Sequence, residues 1–246
     1  MKALRLSILI TAIFTAAAWG QEQHEWSYEG TTGPLNWGKL PGNAMCETGR
    51  NQSPVNIEAA LKTSAKPLQP RYAAGSRDIL NNGHTIQVDF EPGDTLAVDN
   101  ATFTLQQMHF HAPSENQIAG HSFPMEAHFV HADAQGNVLV VAVMFKEGEA
   151  LTALNQVWAA MPSDAGPPRP LLNVVTPMAF LPKSRSYYRF SGSLTTPPCT
   201  EGVRWVVLET PVSASKAQIE AFEHAIQHHN NRPVQPLNGR VVIEKK

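Results

Sequence analysis

Two histidines, His109 and His111, flank Phe110, and a third, His128, lies in the segment Met125-Glu-Ala-His-Phe-Val-His131. Imidazole is the commonest nitrogen ligand for a divalent metal, and in a strand residues i and i+2 project to the same side. His109 and His111 therefore offer two ring nitrogens to one ion. The pair alone decides little, because ten histidines in 246 residues give about 0.4 such pairs by chance. A hydrogen-bonded pair explains it equally well. The second segment changes the balance: Glu126, His128 and Val130 share one face, and His131 takes the other. If the two strands lie side by side, His128 completes three neutral imidazoles with a fourth zinc position open, the layout of a catalytic rather than a structural site. Gln107 shares a face with His109 and Glu126 with His128, so each offers an oxygen to a ligand's ring N–H. The plain alternative for Glu126 is a strand carboxylate paired with a surface base. A third piece is the loop Ser193-Leu-Thr-Thr-Pro-Pro-Cys-Thr-Glu201. Such loops are common by themselves, but beside a metal a Thr hydroxyl can orient a bound hydroxide and a backbone N–H can hold a developing oxyanion.

Positioning these groups requires a sheet. Residues 85–90 alternate apolar and polar, 102–105 continue into 106–111, and 127–130, 138–145 and 203–208 read as strands as well. The run 138–145 is apolar throughout, which predicts burial on both faces. Two helices are predicted, one over 150–160. The other starts near Ser215 with Gln218 completing a capping box, and Ile219, Phe222 and Ile226 fall on one side of it. The proline-dense stretch 162–170 reads as a surface loop. Many strands with few helices imply one large, mainly antiparallel sheet.

The hydrophobic fraction of 42% and charged fraction of 16% exclude a disordered or collagen-like chain. The length suffices for one domain with its own core. A formal charge of −2 leaves no basic footprint for nucleic acid. At the N-terminus, Lys2 and Arg5 precede the apolar run 6–14 and the small residues Ala16, Ala17 and Ala18. This is the order of a secretory signal peptide over residues 1–20, cleaved after Ala18 or Gly20. The alternative is a buried N-terminal helix. The run is too short to span a bilayer, and no second long apolar segment follows in 21–246. The expectation is a protein without a membrane span, periplasmic or secreted. Export favours a disulfide between the only two cysteines, Cys46 and Cys199, over two free buried thiols. Because Cys199 directly follows the Thr-Pro-Pro sequence, that bridge would tether the loop.

Further motifs run through nearly all of residues 21–246. They are Trp26-Ser-Tyr28, Gly33-Pro34 ahead of Trp37, Arg50-Asn-Gln-Ser-Pro-Val-Asn-Ile57, Asn82-Gly-His84 and Asn231-Arg-Pro-Val-Gln-Pro-Leu237. Taken in order with the histidine segments and Gly192-Ser-Leu-Thr-Thr-Pro-Pro198, they resemble the alpha-class carbonic anhydrases. The short stretch between His111 and Glu115 and the Cys46/Cys199 pair look like the exported bacterial branch. The resemblance implies a mainly β single domain, built on a large, twisted, mostly antiparallel central sheet with a few peripheral helices. It implies a Zn2+ enzyme that converts carbon dioxide and water to bicarbonate and a proton through attack by hydroxide formed on the zinc, as a monomer or homodimer. His109, His111 and His128 match the ligands, and Gln107 and Glu126 match the partners that orient them. Thr195 matches the hydroxyl that receives the hydroxide's hydrogen bond and passes its own proton to a buried carboxylate, matched by Glu115. Val130, Val140, Leu194, Thr196 and Trp205 match the pocket for carbon dioxide, a small uncharged molecule that suits an apolar wall. His84 matches the proton shuttle, an imidazole suited to the task near neutral pH, and Tyr28, Asn82 and Gln87 match the residues that order the intervening waters. Gln87 stands where the family often has Asn, and Phe190 where Tyr is frequent. His24, His121, His131, His224, His228 and His229 read as surface or packing residues. His228 and His229 at a helix end would favour its dipole when protonated, and His24, near the new N-terminus, is a weak candidate for a secondary shuttle.

Two rivals use the same residues. A zinc esterase would need a wider pocket or a charged recognition group, and neither is evident in the sequence. A catalytically silent binding module would lack a ligand histidine, whereas all three are present with Thr195 and Glu115.

Overall fold

The computed structural model describes residues 26–64 and 66–246; the leader expected over residues 1–20, and His24, lie outside them. Among the described residues, thirteen strands form one sheet. Its main members are β1 (Ser76–Asn81), β2 (Ile86–Phe90), β3 (Thr95–Val98), β4 (Ala101–His111), β5 (Met125–Ala132), β6 (Val138–Glu147), β7 (Tyr187–Ser193) and β8 (Glu201–Leu208). The order across the sheet is Arg169–Pro170, β1, β2, β4, β5, β6, β8, β7, Ile243–Lys245, Leu61–Lys62, with β3 pairing beside β4. Most pairs are antiparallel, as the alternating segments predict. The centre is not: β6 and β8 run parallel, with Leu139 opposite Arg204 and Ala142 opposite Val207. The sheet is therefore mixed, a feature that periodicity cannot reveal because both orientations have a period of two.

The two faces of the sheet carry different cores. On one, Val88, Met108, Phe110, Phe129, Val143, Phe145 and Val206 pack beneath α1 (Thr152–Trp158) and α2 (Lys216–Ile226). Rings interlock there, with Phe110 edge-on to Trp158 at 4.9 Å. The helix α2 starts where its cap predicts: Ser215 Oγ accepts from Gln218 N, and Gln218 Oε1 accepts from Ser215 N. Gln218 also donates to the Leu151 carbonyl and to Asn155 Oδ1, so one capping residue fastens α2 to α1. On the other face a smaller cluster contains Val55, Ile57, Val140, Ala142, Met144, Phe190, Val203 and Trp205. With both faces covered, β6 is buried from Leu139 to Phe145, which is why it reads as a continuous apolar run.

His131 points toward the helical face, as its odd position in β5 predicts. Its Nδ1 donates to the Leu139 carbonyl at 3.3 Å, so Nε2 accepts the Tyr72 hydroxyl proton at 2.5 Å. Burial holds this imidazole down at about 4 against an ordinary 6.5. The folded value lies below the unfolded one, so the protein gains stability from His131 above pH 6.5 and loses it as pH falls through 4. The shift corresponds to about 3 kcal/mol. Urea unfolding of the wild type and His131→Gln from pH 7 to 4 is expected to show a steeper loss in the wild type; equal slopes would remove this role.

Candidate metal centre

Strands β4 and β5 pair antiparallel so that His109 lies directly opposite His128 and His111 opposite Glu126. This register brings the three imidazoles onto the face carrying the smaller cluster. Ring centroids are 5.0 Å apart for His109 and His111, 5.2 Å for His109 and His128, and 4.5 Å for His111 and His128. Each ring has one nitrogen engaged. His109 Nδ1 donates to Gln107 Oε1 at 2.9 Å, His111 Nδ1 to the Asn230 carbonyl at 2.7 Å, and His128 Nε2 to Glu126 Oε1 at 2.9 Å. The acceptors can only accept, so these bonds fix the tautomers and leave Nε2 of His109, Nε2 of His111 and Nδ1 of His128 as lone-pair donors. One potential ligand nitrogen from each residue lies within 4.8 Å of the others. His111 Nε2 is buried without a hydrogen-bond partner, a costly state for a bare nitrogen and the required one for a metal ligand. Burial first, and mutual repulsion second, hold His109 and His128 well below the ordinary imidazole range. Burial lowers His111 too, against the pull of its Asn230 bond. All three are therefore neutral near neutral pH, the form a metal needs.

Two carboxyls sit beneath this triad. Glu126 Oε2 accepts from the backbone N–H of Glu115 and Asn116, and Oε1 accepts from Asn116 Nδ2 as well as His128. Burial raises its pKa and these donors pull it back. Glu115 is pushed up to about 8 by burial, opposed by the Arg232 N–H that hydrogen-bonds its carboxyl and by the Thr195 side chain beside it. Its Oε1 accepts from Arg232 N at 2.9 Å, while Oε2 lies 3.6 Å from His111 Nε2 and 3.9 Å from His128 Nδ1. A cation at the triad would also favour ionised Glu115.

The Thr195 loop is held from several sides. Ser53 and Ser193 exchange N–H to Oγ bonds, and Trp205 Nε1 donates to the Ser193 carbonyl at 3.0 Å. Gly192 permits this approach: a Cβ there would lie 2.1 Å from Ser53 Oγ and 2.8 Å from Trp205 Cδ1. Gln52 donates to the Cys199 carbonyl, and buried Arg232 ties together Gln52, the Ser53 carbonyl and the Cys46 carbonyl. Cys46 and Cys199 form a disulfide across 153 residues of sequence. Reduction releases one anchor of this loop and enlarges the unfolded ensemble, at a cost of roughly 2–4 kcal/mol. A strong reductant is expected to lower the melting temperature by several degrees and turnover with it; unchanged values of both would contradict the tethering role.

The remaining residues fall into two groups. Val130, Val140, Leu194 and Trp205 share the apolar cluster on the triad face, with Trp205 4.9 Å from the His128 ring, and Phe190 stacks on Trp205. Thr196 lies in the same loop, where its carbonyl accepts from Cys199 N. Tyr28 and His84 border a separate outer cavity of about 400 Å³. Asn82 and Gln87 do not line it. Asn82 Oδ1 accepts from His84 N and Thr85 N, fixing the turn, and Gln87 donates to Asp89 Oδ1 from a position paired with His109. Sequence reading missed Asn230 and Asn116. Asn230 supplies His111's acceptor through its carbonyl, while its side chain bonds Ala112 N, the Phe110 carbonyl and the His84 carbonyl. A backbone carbonyl carries no sequence signal. Asn116 had one, its adjacency to Glu115, but no periodicity places its amide on Glu126.

Comparison with known proteins agrees with this geometry. Residues 32–246 match the model of the eukaryotic-type carbonic anhydrase family. The chain is similar to a carbonic anhydrase of Pectobacterium carotovorum, 51% identical over 241 residues that cover 98% of each protein. It is also similar to one of Klebsiella pneumoniae, 48% identical over 98% of this chain and 96% of that protein. Among solved structures, the alpha-carbonic anhydrase of Thermovibrio ammonificans in complex with the inhibitor sulfanilamide superposes with a TM-score of 0.87. That pair is 46% identical, covering 90% of this chain and 99% of the other.

Proposed function

Given that the chain belongs to the eukaryotic-type, or alpha, carbonic anhydrase family, we propose that residues 21–246 form a Zn2+-dependent catalyst of reversible carbon dioxide hydration, with bicarbonate and a proton as products. One observation carries the reading: three neutral imidazoles converge with their other nitrogens all tied down. His109, His111 and His128 would hold the zinc, a metal suited to three imidazoles. Bound there, it brings the pKa of a water ligand into the neutral range, the effect for which carbonic anhydrase is itself the standing example.

The chain's own residues supply the rest. Thr195 accepts a hydrogen bond from the attacking oxygen and gives its hydroxyl proton to Glu115, so the free lone pair faces the substrate carbon. Thr195 acts as acceptor only if Glu115 is ionised, which the cation favours. Val130, Val140, Leu194 and Trp205, with Thr196 at the loop, form a wall for an uncharged substrate. His84 takes up the released proton and hands it to buffer, across waters ordered by Tyr28, Asn82 and Gln87. The disulfide suits an oxidising compartment, in keeping with a cleaved leader over residues 1–20 and a periplasmic or secreted protein. No helix among the described residues is long and apolar enough to cross a membrane.

The test is removal of the metal. Dialysis against a strong chelator is expected to reduce stopped-flow hydration to the uncatalysed background, and equimolar Zn2+ to restore it. Zinc-loaded protein that turns over activated esters but leaves hydration at background would overturn the assignment in favour of a hydrolase.

A further inference from the structure

We propose that His228 is a second proton-transfer residue, acting beside His84 at the outer cavity. The proposal rests on the reading above, in which each turnover leaves a proton to export. His228 was unremarkable as sequence, a histidine just past a helix, but the fold turns it inward. Gln227 caps α2 in the left-handed conformation, with φ 65°, and the chain then bends so that His228 lines the outer cavity together with His84.

Three observations favour proton transfer over simple packing. The first is the tautomer. His228 Nδ1 lies 3.1 Å from the His229 carbonyl, which only accepts. The neutral ring therefore carries its hydrogen on Nδ1, and Nε2 is the basic atom. The second is the aromatic frame. His84 stacks on Trp26 at 3.8 Å, His228 stacks on Tyr28 at 5.6 Å, and Tyr28 lies 6.4 Å from His84. The two imidazoles thus border one cavity with a phenol between them. The third is the common tether. Asn230, two residues beyond His228, donates from its side chain to the His84 carbonyl at 3.0 Å and accepts from the metal-ligand candidate His111 at its own carbonyl. One residue thus ties the His84 main chain to the candidate ligand His111, two positions along the chain from His228.

The step balances simply. A water in the cavity takes up the proton released by turnover as it gives one to Nε2 of neutral His228; its own O–H bond breaks as the N–H bond forms, and the water is regenerated. The imidazolium then releases the proton from Nε2 to a buffer base, and Nδ1–H is unchanged throughout. The other titratable groups around the ring are Tyr28, Glu29 and His84 across the cavity, and His229 on the same segment. Imidazole is the side chain whose charge changes most readily between pH 5 and 8.

The experiment compares four zinc-loaded proteins: wild type, His84→Ala, His228→Ala and the double variant. Hydration is followed by stopped flow over a range of buffer concentrations. In dilute buffer, His228→Ala is expected to lower kcat about twofold, and the double variant to fall about threefold or more below His84→Ala. All four should share one kcat/KM, and added imidazole should restore kcat, neither of which a packing defect would produce. As a readout independent of turnover, nitrogen NMR should find the neutral His228 ring with its hydrogen on Nδ1 and a bare Nε2. A double variant equal to His84→Ala at every buffer concentration, or a neutral His228 ring with its hydrogen on Nε2, would overturn the proposal. Absence of hydration in wild type would instead sink the underlying reading.

Discussion

His111→Ala is expected to lose both metal and hydration. Its Nε2 is buried without a partner, and its Nδ1 is spent on Asn230, so nothing else in the side chain can substitute as ligand. Disturbing only the groups that orient a metal-bound histidine costs about 10–100-fold in affinity; removing the ligand itself should cost more. Metal per chain after gel filtration should drop from near one to near zero, and kcat/KM for hydration should fall by more than about 10³-fold. His131→Gln serves as the control. That ring lies one residue from Val130 on the opposite face, bonded to Tyr72, so the variant should keep its metal. Full metal content and hydration in His111→Ala would dissolve the triad.

The second large effect concerns Thr195, where the metal should remain and the chemistry should suffer. No ligand nitrogen is hydrogen-bonded to Thr195; the ligands' orienting partners are Gln107, Asn230 and Glu126. What Thr195 does influence is the carboxyl of Glu115, whose Oε1 takes the Arg232 N–H and whose Oε2 is buried without a hydrogen-bond partner. On the proposed mechanism Thr195→Ala removes the hydroxyl that orients the attacking oxygen, a loss expected to be worth about 10²-fold in kcat/KM with zinc content unchanged. Thr195→Ser, which keeps the hydroxyl, should recover most of it. Glu115→Gln should resemble the alanine variant, because an amide can present a donor where the hydroxyl needs an acceptor. Wild-type kcat/KM in Thr195→Ala would remove the hydroxyl from the mechanism.

How far the sequence reaches depends on the range of each interaction. The period of two placed His109 with His111 and turned His131 away, because strand geometry is local. It also paired Gln107 with His109 and Glu126 with His128, each two residues apart on one face. The capping box at Ser215 and Gln218 was legible for the same reason. Residues 150–160 shrink to Thr152–Trp158 as a helix, an ordinary fraying of boundaries. The adjacency of β4 and β5 had to be assumed, and the parallel pairing of β6 with β8 left no mark at all. Glu115 and Thr195 came from resemblance, not from periodicity, since they meet across 80 positions of chain. Asn230 was beyond either route: its contribution to His111 is a main-chain oxygen, identical in every residue type.

The disulfide that fastens the Thr195 loop also constrains how the molecule is made. Cys46 leaves the ribosome 153 residues ahead of Cys199, an interval of roughly 8–30 s at ordinary synthesis rates. During that time it has no partner within its own nascent chain. Oxidation before Cys199 arrives can therefore join only separate polypeptides or capture a small thiol. With two cysteines there is no wrong intramolecular bridge to repair, so the hazard in biogenesis is one of timing.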